Sequence, residues 1–368
     1  MKENKTVNLV LEGGGVKGIG LVGAITELED QGYSWNYIGG TSAGAIVATL
    51  LAVGYTGKEL YKIITELDLT EIMDDVSVKE DFFKVEQLVW PSVKKKRILL
   101  GLLLLLLKPI RTLRLFLRLK RNHGLFNGEY IVTKVRELIY QKTHKECYTF
   151  ADLASENGGD ESKLSLMVTD ITNGRLLILP RDLKDKLNKL PEETEIVEAM
   201  RMSMSFPLFF KPKEVSVPQA KPIVLMDGGI LSNFPFWYIE GLEEERRKPH
   251  PTVGVLLDEG PRNGIKDLSG IIEAILYTMI SPLDRMGHRA LNDHIVRVNT
   301  QTEKAGVNDE ISTFAFNLPS TDKVNLYNNG RTAAQEWIQK FEKEILKKEP
   351  VEEKMKKWPR QEGTSSAA

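Results

Sequence analysis

Disulfides are excluded at once, because the 368 residues contain a single cysteine, Cys147. One thiol cannot pair internally, and its isolation fits a reducing compartment. His144 precedes it at a spacing that metal sites use, but two ligands do not close a zinc site. An excess of one charge is also missing. Lysine and arginine number 50 against 51 acidic residues, a net charge of −1, so no global field selects a nucleic acid or a membrane. Long apolar runs are lacking too. Val7–Leu11 is too brief for the apolar part of a signal peptide and runs straight into glycines. Ile98–Leu107 would span about 15 Å as a helix, half of a bilayer's roughly 30 Å of hydrocarbon, so it cannot cross. No repeat of solenoid period is present. What remains is an ordinary globular composition, long enough for one large α/β domain or two smaller ones.

The most informative stretch is Tyr37–Ala48, YIGGTSAGAIVA. A short apolar lead-in is followed by Gly40-Thr41-Ser42-Ala43-Gly44 and then by an apolar run long enough for a helix over Ala43–Val53. Gly-x-Ser-x-Gly suits a nucleophilic serine on a sharp strand-to-helix turn, where bulky neighbours two residues away would collide. The following helix would aim its positive end at charge developing near the serine. The alternative is that Ser42 only caps that helix.

Upstream, the strand Val7–Leu11 leads into Glu12, then Gly13-Gly14-Gly15-Val16-Lys17-Gly18, then a helix over Ile19–Gln31. Strand, glycine loop and helix together present bare backbone N–H groups to an anion. Three readings compete. A dinucleotide fingerprint expects an acidic residue at the end of the second strand, but the strand near Trp35–Ile38 ends in Gly-Gly-Thr-Ser. A phosphate loop would close on Gly-Lys-Ser/Thr, and here Gly18 precedes Ile19. The third reading is an oxyanion hole, favoured because loop and Ser42 follow consecutive strands and so share one sheet edge.

Residues 76–123 read as an insertion. From Lys94 to Arg121 there are ten basic residues and no acidic one, which leaves −11 for the rest of the chain (−1 minus +10). After Pro109, Arg111, Arg114, Arg118 and Arg121 share one helical face and leucines with Phe116 cover most of the remainder. That pattern favours a helix lying in an anionic membrane interface with its arginines at the headgroups. A lid over the protein itself, or a dimer contact, is the competing reading.

Further on, a helix is expected over Leu125–Tyr140, strands over Leu164–Asp170 and Leu176–Leu179, and a short helix over Glu195–Ser203. The apolar strand Ile223–Met226 runs into Asp227-Gly228-Gly229, and α/β sheets place sites where such strands end. Most Asp-Gly pairs, however, only cap turns. Strands at Thr252–Leu257 and His294–Asn299 and helices at Asp267–Met286 and Asp322–Lys347 complete the scaffold. Residues 348–368 read as a disordered tail after a catalytic domain spanning 1–347.

Taken in order, the Gly13–Gly18 loop, the Gly40–Gly44 turn and Asp227-Gly228-Gly229 resemble the patatin-like phospholipase family. Arg201-x-Ser203 with Pro207 and Pro212 is similar to a further family run, with Met202 where alanine is usual. Asn233 and Pro235 follow Asp227 as they do in the family. The resemblance covers about residues 7–300, and the Leu/Arg-rich insertion departs from it. It implies an α/β fold, a mainly parallel central sheet flanked by helices, and a lipid acyl hydrolase without cofactor or metal. Ser42 would be the nucleophile and Asp227 the proton acceptor. Amides around Gly13, Gly14 and Gly15 would hold the oxyanion, with Gly18, Gly40, Gly44, Gly228 and Gly229 shaping the turns. The substrate would be a phospholipid or another lipid ester, cleaved to free fatty acid.

With the basic insertion, the expectation is a cytoplasmic, peripherally membrane-associated enzyme that contacts anionic lipid through Arg111, Arg114 and Arg118, and no nucleic acid. Rival readings are a Ser-His-Asp triad using His288 or His294, a non-catalytic lipid-binding scaffold, and a nucleotide-binding protein using the glycine loop.

Overall fold

The computed structural model describes residues 5–84, 109–159, 162–218, 221–244, 250–258, 292–304 and 307–345. The apolar run Ile98–Leu107, the helix expected over Asp267–Met286, His288 and the tail 348–368 lie outside the described residues. Strand β1 (Lys5–Leu11) has apolar side chains on both faces, as a central parallel strand must. Val10 packs with Tyr37, Met167 and Ile178 on one side of the sheet. Leu9 and Leu11 pack with Ile38, Leu166 and Val168 on the other. Helix α1 (Gly18–Asp30), strand β2 (Tyr33–Gly40), and helices α2 (Ala43–Ala52) and α3 (Gly57–Glu66) follow. The β-α-β-α order makes β1 and β2 parallel neighbours with both of their carboxyl ends at one edge.

After the insertion come β3 (Gly124–Phe126), α5 (Glu129–Thr143) and α6 (Phe150–Glu156), where α4 denotes the insertion helix Pro109–Asn122. The hairpin β4 (Leu164–Asp170) and β5 (Arg175–Leu179) is next, then α7 (Leu183–Leu187) and α8 (Ile196–Ser203). Short strands β6 (Leu208–Phe210) and β7 (Lys213–Val215) lead to β8 (Ile223–Asp227) and helix α9 (Phe236–Glu244). Strands β9 (Thr252–Asp258) and β10 (Ile295–Asn299) extend the sheet. A small hairpin, β11 (Gln301–Lys304) and β12 (Val307–Glu310), precedes the long helix α10 (Ser320–Ile345). The main sheet runs β10-β9-β1-β2-β4-β8-β7, with β5 paired to β4. The fold is thus α/β with a mainly parallel sheet flanked by helices.

Strand β4 is the joint of this sheet. Its first half pairs in parallel with β2, as far as Gly40 opposite Leu166. Its second half pairs antiparallel with β8, with Val168 opposite Asp227. Strand β5 occupies the other edge, since Leu166 also pairs with Leu179 and Val168 with Leu177. β2 and β8 therefore approach along the same edge of β4 from opposite directions. Their carboxyl ends stop two residues apart, about 7 Å along the strand.

The insertion helix departs from the sequence expectation. Pro109 opens α4, where its missing N–H costs nothing. Arg114 donates to Asp81 at 2.8 Å and Arg111 lies 3.5 Å from the same buried carboxylate. Arg118 pairs with Asp75 at 3.0 Å. The three arginines expected at lipid headgroups are thus taken by the protein's own acids, which neutralise charge that would otherwise be stranded near the core. Leu115 and Leu119 pack inward with them, and Leu113, Phe116 and Leu117 face out.

Candidate active site

Ser42 sits in the turn between β2 and α2 with φ 53° and ψ −120°, a conformation that side chains rarely adopt. The flanking glycines are required by contact. A Cβ on Gly40 would lie 2.5 Å from the Gly44 carbonyl oxygen, and one on Gly44 would lie 2.4 Å from that of Leu11. The side chain of Ser42 makes no capping bond to α2, so the bland reading of this serine fails. Its amide instead donates to Ser203 Oγ at 3.2 Å, and Thr41 Oγ1 donates to the Ser232 carbonyl at 3.1 Å.

Asp227 reaches the same place from β8. It is 2% exposed, and its Oδ1 accepts from the Gly229 amide at 2.8 Å. Its own amide donates to the Ser205 carbonyl at 3.0 Å. Among the described residues, Oδ2 has no hydrogen-bond partner. Burial pushes this carboxyl up to about 7, against the lowering effects of the Ser42 hydroxyl and the Gly229 amide. The Ser42 hydroxyl is thus one of two groups whose proximity favours the ionised carboxylate.

The glycine loop is pinned over this pair by Asn233. The Asn233 carbonyl accepts from the Gly13 amide at 3.2 Å, and its side-chain amide donates to the Gly13 carbonyl at 3.1 Å and to Glu12 Oε1 at 3.2 Å. Glu12, itself buried, accepts the Leu257 amide at 2.6 Å. Gly13's donor is thus committed, whereas the amides of Gly14 and Gly15 have no acceptor among the described residues. Gly15 has φ +56°. Gly18 abuts Ala43 of α2, and Gly228 and Gly229 lie close against Met167 and Asn233.

A cavity of about 160 Å³ opens beside Ser42. Its wall is apolar, built from Val22 of α1, Ile46 and Leu50 of α2, Val135 of α5, and the rim rings Phe206 and Phe314. Phe206 and Phe314 meet edge to face at 4.7 Å between ring centres. Space of this size and lining takes an apolar guest rather than water.

His294 is not part of this constellation. It precedes Ile295, which pairs with Gly254; Gly254 pairs with Val10, and Val10 with Gly39. Three strand spacings, roughly 14 Å, separate it from β2. Its Nδ1 lies 3.1 Å from the Thr252 carbonyl at the far end of β9. Among the described residues, no three His, Cys, Asp or Glu side chains cluster as metal ligands do.

The patatin-like phospholipase family model matches residues 9–239, which includes the glycine loop, Ser42, Asp227 and Asn233. The chain belongs to this family. It is a lipid acyl hydrolase, a carboxylic ester hydrolase of the phospholipase type. Among similar proteins is the uncharacterized protein YqhO of Bacillus subtilis, 32% identical over 274 residues, covering 73% of this chain and 79% of that protein. The lysophospholipase NTE1 of Scheffersomyces stipitis is 47% identical over 58 residues, 16% of this chain and 4% of that protein. Among solved structures, VipD of Legionella pneumophila aligns with a TM-score of 0.47 and 21% identity, over 92% of this chain and 67% of that one.

Two residues of this patatin-like site carry more than sequence reasoning assigned them. Asn233 bridges two motifs more than two hundred residues apart, and Ser203 holds the Ser42 amide. Arg201, almost fully buried, donates to the Asn127 and Lys211 carbonyls and to Ser205 Oγ at 2.6 Å. Through Ser205 it fixes the strand end that bears Asp227. Their burial is not visible in the sequence, where the signals were the run Arg201-x-Ser203 and the place of Asn233 after Asp227.

Proposed function

We propose that the enzyme cleaves fatty-acyl esters of phospholipids at a membrane surface with a Ser42–Asp227 dyad. Ser42 Oγ attacks the ester carbonyl while its proton passes to Asp227. The tetrahedral oxyanion is held by the Gly14 and Gly15 amides and the positive end of α2. Collapse expels the alcohol of the lysolipid, which takes the proton back from Asp227. Water then attacks the acyl-enzyme, Asp227 accepts its proton, and free fatty acid leaves as Ser42 is restored.

The observation that carries this reading is a fully buried carboxyl, raised to about 7, beside a strained serine that itself lines an apolar cavity. An aspartate with an ordinary pKa would be a poor base, and burial removes that handicap. Catalysis belongs to one domain over residues 1–347 with 76–123 inserted in it, on the cytoplasmic side of a membrane.

A fluorophosphonate should label Ser42 stoichiometrically, and both labelling and fatty-acid release from phosphatidylcholine vesicles should vanish in Ser42→Ala. A wild-type protein that stays unlabelled would favour a lipid-binding scaffold on the same fold.

A further inference from the structure

Helix α4 exposes a patch that the catalytic site does not use. Leu113, Phe116 and Leu117 are 54, 59 and 52% exposed, and their spacing puts them on one face. Lys120 and Arg121 continue that face one turn on, also exposed. The helix contains five basic residues and no acidic one. Arg111, Arg114 and Arg118 are used up on Asp75 and Asp81, while Arg121 has no partner among the described residues. Beside Leu117 an open cleft of about 450 Å³ is lined by Ser77, Arg114, Arg118, Arg121 and Asn122.

The helix also connects to the cavity. It leads through His123 into β3, where Gly124 pairs with Leu208 of β6. Leu208 is half exposed at φ +65°, a conformation that a leucine resists. Two residues before it, Phe206 lines the cavity with Ser42. Between them Phe126 packs on Phe209, and Phe209 stacks on Phe314 of the rim.

We infer that the outward face of α4, with Leu208, is the surface on which the enzyme docks to an anionic phospholipid bilayer. Leu113, Phe116 and Leu117 enter the acyl layer, and Lys120 and Arg121 meet phosphate oxygens at the lip of the cleft. This inference rests on the lipid hydrolase reading. It reverses the role expected of the helix: three arginines fasten it to the protein, and the apolar side is what the lipid meets. An apolar triad with an adjoining unpaired cation matches an anionic bilayer, which offers hydrocarbon beneath negative charge. The cation has no counterpart in a docked second copy, which would bring an identical cation to the same contact.

The test uses the full-length enzyme and sedimentation with vesicles of 30% phosphatidylserine in phosphatidylcholine, at low and high salt. Leu113→Ser/Phe116→Ser/Leu117→Ser should lower the bound fraction at least tenfold at both salts. Lys120→Gln/Arg121→Gln should lower it several-fold at low salt only and flatten the salt dependence, because salt screens charge and not apolar burial. Hydrolysis of a short soluble ester should stay within twofold of wild type in both, so its loss in the wild type itself would indict the catalytic reading and leave docking to be read by sedimentation. Triple-variant binding equal to wild type overturns the inference. So does wild-type sedimentation that ignores phosphatidylserine, or a patch whose loss changes only the oligomer seen by light scattering.

Discussion

At the residue scale, the proposed role of Asp227 as base carries a pH signature. Its carboxyl is raised from 3.8 to about 7, chiefly because burial disfavours the charge. A general base must be unprotonated, so kcat/KM for a soluble ester should climb about tenfold per pH unit below 7 and level off above it. The same shift bears on stability with a definite sign. A folded pKa above the unfolded one contributes stability that is full below about 4 and lost as pH rises through about 7. At pH 8 the ionised carboxylate therefore burdens the fold, by an upper bound of about 4 kcal/mol. Asp227→Asn should abolish turnover, raise the denaturation midpoint at pH 8, and leave it little changed at pH 4. Equal effects at both pH values would mean that the carboxyl titrates normally.

Legibility in the sequence was greatest where covalent pattern and contact coincide. Gly40 and Gly44 are glycines because backbone passes within 2.5 Å of where a Cβ would sit, so the nucleophile turn could be read directly. Asn233 could not be read this way. Its clamp on Gly13 depends on a loop that is distant in the chain and near only in space.

At the scale of elements, α2 has two tasks. It begins directly after Ser42, and one and two turns on Ile46 and Leu50 form part of the cavity wall. On the proposed mechanism, acyl preference would be set by the helix that follows Ser42. Ile46→Trp should fill the space beyond the reacting carbonyl. The ratio of kcat/KM for a palmitoyl ester to that for a butyryl ester should fall by about tenfold or more, with the butyryl rate nearly kept. A chain-length profile over C4 to C16 esters checks this, and an unchanged profile would place the acyl chain elsewhere.

Elements themselves were largely foreseen. Strands β1, β2, β4 and β9 and helices α1, α2 and α10 lie within a few residues of expectation, since each is a run of one period between glycines or caps. The short pair β3 and β6 was hidden, because three residues carry no period. The faces of α4 were visible in its spacing, but their orientation was not: what decides it is a buried Asp81 on a neighbouring segment. Among the described residues, no helix is long and apolar enough to cross a membrane.

At the scale of the molecule, the C-terminal helix α10 closes the face of the sheet that carries α1. The two helices touch backbone to backbone, since a Cβ on Gly330 would lie 2.0 Å from the Gly20 carbonyl and one on Gly23 equally close to that of Tyr327. Gly330→Val must push them apart and open the core beneath. A loss of about 3 kcal/mol or more is expected in urea unfolding, with the enzyme that stays folded retaining its specific activity. A smaller loss would show that α10 is an accessory layer.

The meeting of β2 and β8 along one edge of β4 has a consequence for the life of the chain. Ser42 leaves the ribosome 185 residues before Asp227 (227 minus 42). Until β8 pairs with β4, a growing chain lacks the carboxyl that the proposed dyad requires. A chain that ends before residue 227 lacks that carboxyl as well. On the proposed dyad, acyl hydrolysis can begin only once the later of the two segments is in place, whatever the state of the earlier one.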